Sequence, residues 1–219
     1  EGFGGIEGVR KGKGELFDYL RENKGTAFVM WDYEYLRDMS KGIPEIITYG
    51  TSGTDHNGHA VQSEPFLEVQ TDIQGAENIR TQLVGDYNLP NILVAVTVGN
   101  YFTVDKKEIV SAIENYSPSN SRSQMVQKGS NQVILDAYNA NPTSMLAAIE
   151  NFARQPHDNK VILIGGMMEL GDESLAEHTG IVSLLKQFNW QDVILVGGDF
   201  AKVPHPFRFF HTSVEAASW

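Results

Sequence analysis

The residues best able to do chemistry in this chain are the ten from Asp136 to Met145, Asp-Ala-Tyr-Asn-Ala-Asn-Pro-Thr-Ser-Met. They follow the apolar run Val133-Ile134-Leu135 and lead into Leu146–Phe152, so they read as a strand end, a polar loop and a helix start. Pro142 suits the first helical position, where its missing N–H has no partner to lose. Asn141 then becomes the N-cap. An acid at the carboxyl end of a strand, beside a helix N-terminus whose N–H groups favour anions, is how open α/β sheets bind nucleotides and phosphates. The same residue types also build ordinary strand-to-helix turns, and the residues alone leave both readings open.

Other candidates lie to either side. Asn88 and Asn91, three apart at the head of an apolar helix, share one face, and each carboxamide offers a donor and an acceptor to an adenine edge. Asn88 could equally cap that helix, with Pro90 just inside it. Arg122 stands fourteen residues before Asp136 and offers a planar fork for phosphate oxygens, while Asp136 can accept from ribose hydroxyls. Glu169 lies in a glycine-flanked loop, Gly165–Gly171, that follows a strand. His178, one turn into the next helix, reads first as a structural histidine. The stretch Gly8-Val-Arg-Lys-Gly-Lys-Gly14 has three residues between its first glycines and no Ser or Thr after Lys13. It therefore lacks the spacing of a loop that wraps phosphates.

These residues need elements to hold them. A helix over Gly8–Arg21, with Leu16, Phe17 and Leu20 as its apolar stripe, is followed by strands at Thr26–Trp31, Ile46–Tyr49, Phe66–Val69 and Ile79–Leu83. The glycine-bearing polar stretch between Tyr49 and Pro65 reads as a loop. Helices over Leu89–Tyr101 and Lys106–Tyr116 close this half, and the Ser/Pro/Asn-rich Tyr116–Ser121 has linker composition. Beyond it strand Val133–Asp136, helix Thr143–Ala153, strand Val161–Ile164, helix Ser174–Phe188 and strand Val193–Val196 alternate. Ile181, Leu184, Leu185 and Phe188 give the second helix a sheet-covering stripe. Such alternation predicts right-handed crossovers and a mainly parallel, Rossmann-like sheet, so the fold class is α/β in two domains, 1–117 and 118–219.

With 219 residues and 41% apolar content there is enough material for two cores. A net charge of −11 argues against nucleic acid as partner. Having no cysteine, the chain makes no disulfide or thiolate metal site. No apolar run approaches the roughly 20 residues that cross a bilayer, and the first residues do not look like a signal peptide. Those two absences lead to an expectation of a cytoplasmic protein without membrane insertion.

The wording of the motifs adds a resemblance. Phe3-Gly-Gly-Ile-Glu-Gly-Val-Arg-Lys-Gly-Lys-Gly-Glu-Leu-Phe17, Gly85-Asp-Tyr-Asn-Leu-Pro-Asn91, Arg122-Ser-Gln124, Asp136–Met145 and Gly166-Met-Met-Glu-Leu-Gly171 with His178 occur in the order in which the Mur ligases carry similar segments. These are the ATP-dependent amide-forming enzymes of peptidoglycan precursor synthesis, and the chain is most similar to members that add D-alanyl-D-alanine to a UDP-N-acetylmuramoyl tripeptide. The resemblance implies the carboxyl part of the central ATPase domain followed by the C-terminal ligase domain, with ATP and magnesium as cofactors and a monomeric state. Nucleotide binding is implied for Asn88, Asn91, Arg122, Asp136, Tyr138 and Asn139, and substrate binding for Asn141, Ser144, Glu169 and His178. Lys13 resembles the family lysine that reacts with carbon dioxide to give a carbamate and, as carbamate, ligates magnesium. The chemistry is reasonable, since an ammonium cannot ligate a hard cation and a carbamate oxygen can. Its formation needs a neutral amine, which the positive neighbours Arg10 and Lys11 favour. Where the family usually has His before the first Asn, this chain has Tyr87.

In the family the phosphate loop, a metal-binding histidine and the UDP-sugar domain precede the equivalent of Glu1, and the last domain continues past that of Trp219. The resemblance thus implies a fragment of a longer enzyme, itself inactive. The competing readings are another ligase of the superfamily, such as a folylpolyglutamate synthase, and a non-catalytic nucleotide-binding module.

Overall fold

Strand-forming runs separated by amphipathic helices give a mixed α/β chain, whose computed structural model describes residues 5–72, 78–119 and 121–219. Phe3 and Gly4 of the first motif and Asn120 of the linker lie outside them. The chain forms two compact units that divide between Leu135 and Asp136, whereas the composition of Tyr116–Ser121 led to an expected boundary at 117/118. Each unit has its own hydrophobic core.

The first unit runs through helix α1 (Gly5–Glu22), strand β1 (Thr26–Met30), helix α2 (Glu34–Ser40), strands β2 (Glu45–Gly50), β3 (His56–Gln62), β4 (Glu68–Thr71) and β5 (Asn78–Arg80), helices α3 (Leu89–Tyr101) and α4 (Lys106–Asn115), and strands β6 (Gln124–Lys128) and β7 (Asn131–Leu135). Strands β1 to β5 form one sheet in sequence order. The pairs β1/β2 and β2/β3 are parallel, and β3/β4 and β4/β5 antiparallel. Helix α3 buries Ile92, Leu93 and Val96 with Val69, Leu67 and Ile79, while Phe17 and Leu20 of α1 pack near Ala27, Val29 and Ile43. Leu16, expected on the same stripe, is 61% exposed.

Two expectations are corrected here. The stretch between Tyr49 and Pro65 is not all loop, because His56–Gln62 is a strand that pairs Gly58 with Thr71 and Ala60 with Val69. Its polarity hid it: Asn57 spends its backbone N–H and its Nδ2 on Asp72 Oδ2, both at 2.8 Å. Gly58 marks close packing rather than looseness, since a Cβ there would stand 2.5 Å from Leu93 Cδ2. The strand expected at Val133–Asp136, found as β7, does not join the parallel sheet. It pairs antiparallel with β6, from Lys128↔Asn131 to Gln124↔Leu135. The cause is the two-residue turn Gly129-Ser130, in which Gly129 takes φ 60° and folds the chain straight back.

The second unit contains α5 (Pro142–Arg154), β8 (Val161–Gly165), α6 (Ser174–Leu185), β9 (Asp192–Val196), β10 (Arg208–Phe210) and the short helix α7 (Ser213–Ser218). Its sheet runs β10-β9-β8, parallel throughout. Ile162, Ile164, Val193 and Leu195 pack with Ile149 of α5 and with Ile181, Val182, Leu184 and Leu185 of α6. The expected βαβ unit is present in β8-α6-β9. Strand β10 has only three residues and no periodic signal to announce it.

Candidate functional site

The head of α3 brings the two predicted asparagines together. Asn88 Nδ2 donates to the Val84 carbonyl at 2.9 Å, and Asn91 Nδ2 donates to Asn88 Oδ1 at 3.1 Å. Asn88 occupies the N-cap position without a side-chain capping bond. Its carboxamide is instead fixed by Val84, with exposed Asn91 stacked one turn on.

Just before this pair, the Tyr87 hydroxyl lies 2.8 Å from Ser123 Oγ, across 36 residues of sequence. Ser123 immediately follows Arg122 and is only 4% exposed. The register Gln124↔Leu135 sets Arg122 and Asp136 at the open end of the β6/β7 hairpin, which is how residues fourteen apart reach one end of an element. Both are exposed. Because β7 pairs with β6 and not with β8, Asp136 and Glu169 follow strands of different sheets.

Within the ten-residue motif, Asn141 caps α5. Its side chain accepts from the Ser144 backbone N–H at 3.0 Å, and Ser144 Oγ lies 3.2 Å from the Asn141 backbone N. Pro142 opens the helix. The two expected substrate contacts therefore brace each other at an exposed helix start, and Tyr138 and Asn139 precede them in the open, Tyr138 61% exposed.

The Gly165–Gly171 loop leaves the carboxyl end of β8. Here Gly166 meets Gly198 from the loop after β9 so closely that a Cβ on Gly166 would lie 2.5 Å from Gly198 Cα. His178 lies beside this crossing and is fully buried. Its Nε2 accepts the Met167 backbone N–H at 3.1 Å, and its Nδ1 stands 2.6 Å from the Ser174 carbonyl, so Nδ1 carries the proton. That pins the loop's start. Glu169, at φ 62°, projects from an exposed bend. The Lys202 ammonium and then the Ser174 hydroxyl hold the nearby Asp199 carboxyl below its ordinary range.

Helix α1 takes up the whole of Gly8–Gly14, so those backbone N–H groups serve helical bonds and cradle no phosphate. Lys13 is exposed on it. Arg10, on the same face, pairs with Glu7 at 2.6 Å and lies over the Tyr35 ring, 5.5 Å from its centre. Residues three and four away from Lys13 are Val9, Arg10, Leu16 and Phe17, none an acid. Among the described residues no three His, Cys, Asp or Glu side chains gather where a metal could sit. The described residues thus do not by themselves build a magnesium site at Lys13.

One acid escaped the sequence reading. Asp32 follows β1 at the carboxyl end of the parallel pair and accepts the Thr51 N–H at 3.0 and 3.2 Å. Gly50 admits it, for a Cβ there would lie 2.5 Å from Asp32 Oδ1. The signal was available, an acid directly after an apolar strand. Beside it, Tyr33 and Tyr35 stack with centroids 5.9 Å apart. Burial, then these two neighbours, push the Tyr49 hydroxyl above its usual pKa.

Comparison with known proteins matches two family models in order along the chain. Residues 1–99 match the family model of the Mur ligase middle domain, and residues 121–206 match that of the Mur ligase glutamate ligase domain. The UDP-N-acetylmuramoyl-tripeptide--D-alanyl-D-alanine ligase of Escherichia coli is 31% identical over 205 residues, covering 90% of this chain and 45% of that protein. A crystal structure of MurF from Acinetobacter baumannii superposes with a TM-score of 0.82 at 27% identity, over 99% of this chain and 49% of the other. The MurF ligase of Thermotoga maritima in complex with ADP gives 0.82 at 19% identity, over 99% of this chain and 51% of that one, a likeness of fold. The chain spans about half the length of the curated relatives it matches.

Proposed function

The chain belongs to the Mur ligase family, and from that membership we propose that it carries the middle-domain and C-terminal share of a cytoplasmic ATP-dependent ligase that joins D-alanyl-D-alanine to a UDP-N-acetylmuramoyl tripeptide. The observation that carries this reading is the order of two Mur ligase domains along a chain matched for 90% of its length by a D-alanyl-D-alanine-adding enzyme. In this reaction a carboxylate oxygen of the tripeptide attacks the γ-phosphorus of ATP, the bond to the bridging oxygen breaks, and ADP leaves. The amine of D-alanyl-D-alanine then attacks the acyl phosphate carbonyl, gives up a proton and expels phosphate. Positioning and charge stabilisation supply most of the catalysis in the first step.

The roles we assign follow the family resemblance. The Asn88/Asn91 carboxamides meet the adenine edge, Arg122 the phosphates and Asp136 the ribose hydroxyls, with Tyr138 and Asn139 beside the nucleotide. Asn141, Ser144 and Glu169 face the incoming dipeptide. His178, buried with both ring nitrogens engaged, shapes the Glu169 loop without touching substrate. Lys13 is the lysine that takes up carbon dioxide, with metal ligands supplied from beyond the described residues.

The test is ATP turnover by a ligase containing these residues, given the UDP-N-acetylmuramoyl tripeptide with either D-alanyl-D-alanine or L-glutamate as acceptor. ADP release that depends on D-alanyl-D-alanine is expected. Release that depends on glutamate with a folate in place of the tripeptide would transfer the chain to the folylpolyglutamate synthase reading.

A further inference from the structure

We propose that Tyr87 is a positioning residue, a latch that ties the Asn88/Asn91 turn to the backbone carrying Arg122. The inference rests on the reading that these three side chains address one nucleotide. Three observations support it. The Tyr87 hydroxyl bonds Ser123 Oγ at 2.8 Å, and Ser123 is nearly sealed from solvent, so the bond is shielded from competition by water. Ser121 and Ser123, on either side of Arg122, hold φ of 56° and 50°, a left-handed conformation that costs an L-residue energy and persists only when its surroundings enforce it. Finally, Gly85 at φ 92° makes room for the ring: a Cβ there would lie 2.3 Å from Tyr87 Cε1.

The physical consequence is coupling. Asn88 is fixed to Val84 from the same turn that presents Tyr87, and Gln124, the first residue of β6, follows Ser123 directly. Loss of the hydroxyl therefore releases the Arg122 segment from the asparagine pair while the hairpin stays paired. The reach of the phenol is what brings its hydroxyl to Ser123.

The experiment compares wild type, Tyr87→Phe, Ser123→Ala and the double variant, each as the full 219-residue chain. Two readouts are taken: the rate of tryptic cleavage after Arg122 under native conditions, followed by mass spectrometry, and the Arg122 Nε–H NMR resonance during ATP titration. Each single variant is expected to be cut after Arg122 roughly two- to tenfold faster, the factor that loss of one hydrogen bond gives. The double variant should be cut no faster than either, since both remove one interaction. Tyr87→Phe should also weaken the ATP-induced shift of Arg122 by a similar factor. Unchanged cleavage in Tyr87→Phe overturns the latch itself. Faster cleavage with an ATP response equal to wild type overturns the positioning role. An Arg122 resonance in wild type indifferent to saturating ATP overturns instead the nucleotide reading on which the role rests.

Discussion

His178 illustrates how a single residue can govern a loop from underneath. It is fully buried, takes the Met167 N–H on one nitrogen and serves the Ser174 carbonyl with the other. Replacing it with Ala strands the buried Met167 N–H, removes the bond to the Ser174 carbonyl and leaves a void against Phe200, whose ring it meets edge-on at 4.6 Å. We expect His178→Ala to cost about 2–4 kcal/mol of unfolding free energy by urea titration; a loss within experimental error would mean that the loop holds its shape by other means. Asp55 offers a pH test. The Thr48 backbone N–H, then its hydroxyl, hold the Asp55 carboxyl below its ordinary 3.8. A depressed folded pKa stabilises above the unfolded value and is lost as pH falls through the folded one. Asp55→Asn should therefore be less stable than wild type near neutrality, and the gap should close as pH drops below 3.8. A gap that stays constant in acid would rule out this carboxylate as its source. At this scale the sequence showed residue types well and partners poorly. Asn88 and Asn91 were legible as a pair because a helix spacing of three is local, whereas Tyr87 and Ser123 meet over 36 residues and carry no local signal.

Among the elements, legibility followed chemistry of the same local kind. Helix α3 runs over Leu89–Tyr101, the span its apolar residues and Pro90 indicate, and α5 begins at the Asn141-Pro142 cap that the motif spells out. Strand β3 escaped because its pairing depends on Asp72 and on a helix packed against Gly58, neither of which is near it in sequence. The β7 pairing went wrong for the opposite reason. An apolar run before a helix suggests a parallel strand, whereas the partner is decided by the Gly129-Ser130 turn. The Gly58 contact yields a prediction. A methyl there meets not only the movable Leu93 Cδ2 but the Gln70 carbonyl oxygen at 2.9 Å, which cannot yield without bending the sheet. Gly58→Ala should destabilise by about 1–3 kcal/mol in chemical denaturation, the usual cost of overpacking. Neutral behaviour would mean that β3 stands further from α3 than the structure has it.

For the whole molecule, having two cores differs from having a working site. Each unit has buried hydrophobic residues enough to fold around, yet the chain holds no G-x-x-x-x-G-K-[ST] run, and the only stretch with comparable glycines and lysines is taken up in α1. Nothing among the described residues wraps the β- and γ-phosphates, and in phosphoryl transfer such positioning supplies nearly all of the catalysis. What the proposed roles leave for ATP is a handful of polar contacts to adenine and ribose and one guanidinium. Each contributes on the order of 1 kcal/mol net, against roughly 4–15 kcal/mol for immobilising the ligand. The sum leaves a dissociation constant no tighter than ~1 mM, which corresponds to about −4 kcal/mol. We therefore expect this 219-residue chain to bind ATP only at millimolar concentrations, and to release no phosphate above background with D-alanyl-D-alanine present. Calorimetric titration and a phosphate-release assay measure the two halves separately. Micromolar binding would locate the phosphates on residues other than those assigned, with the Asp32 and Tyr35 surface beside Arg10 the first place to look.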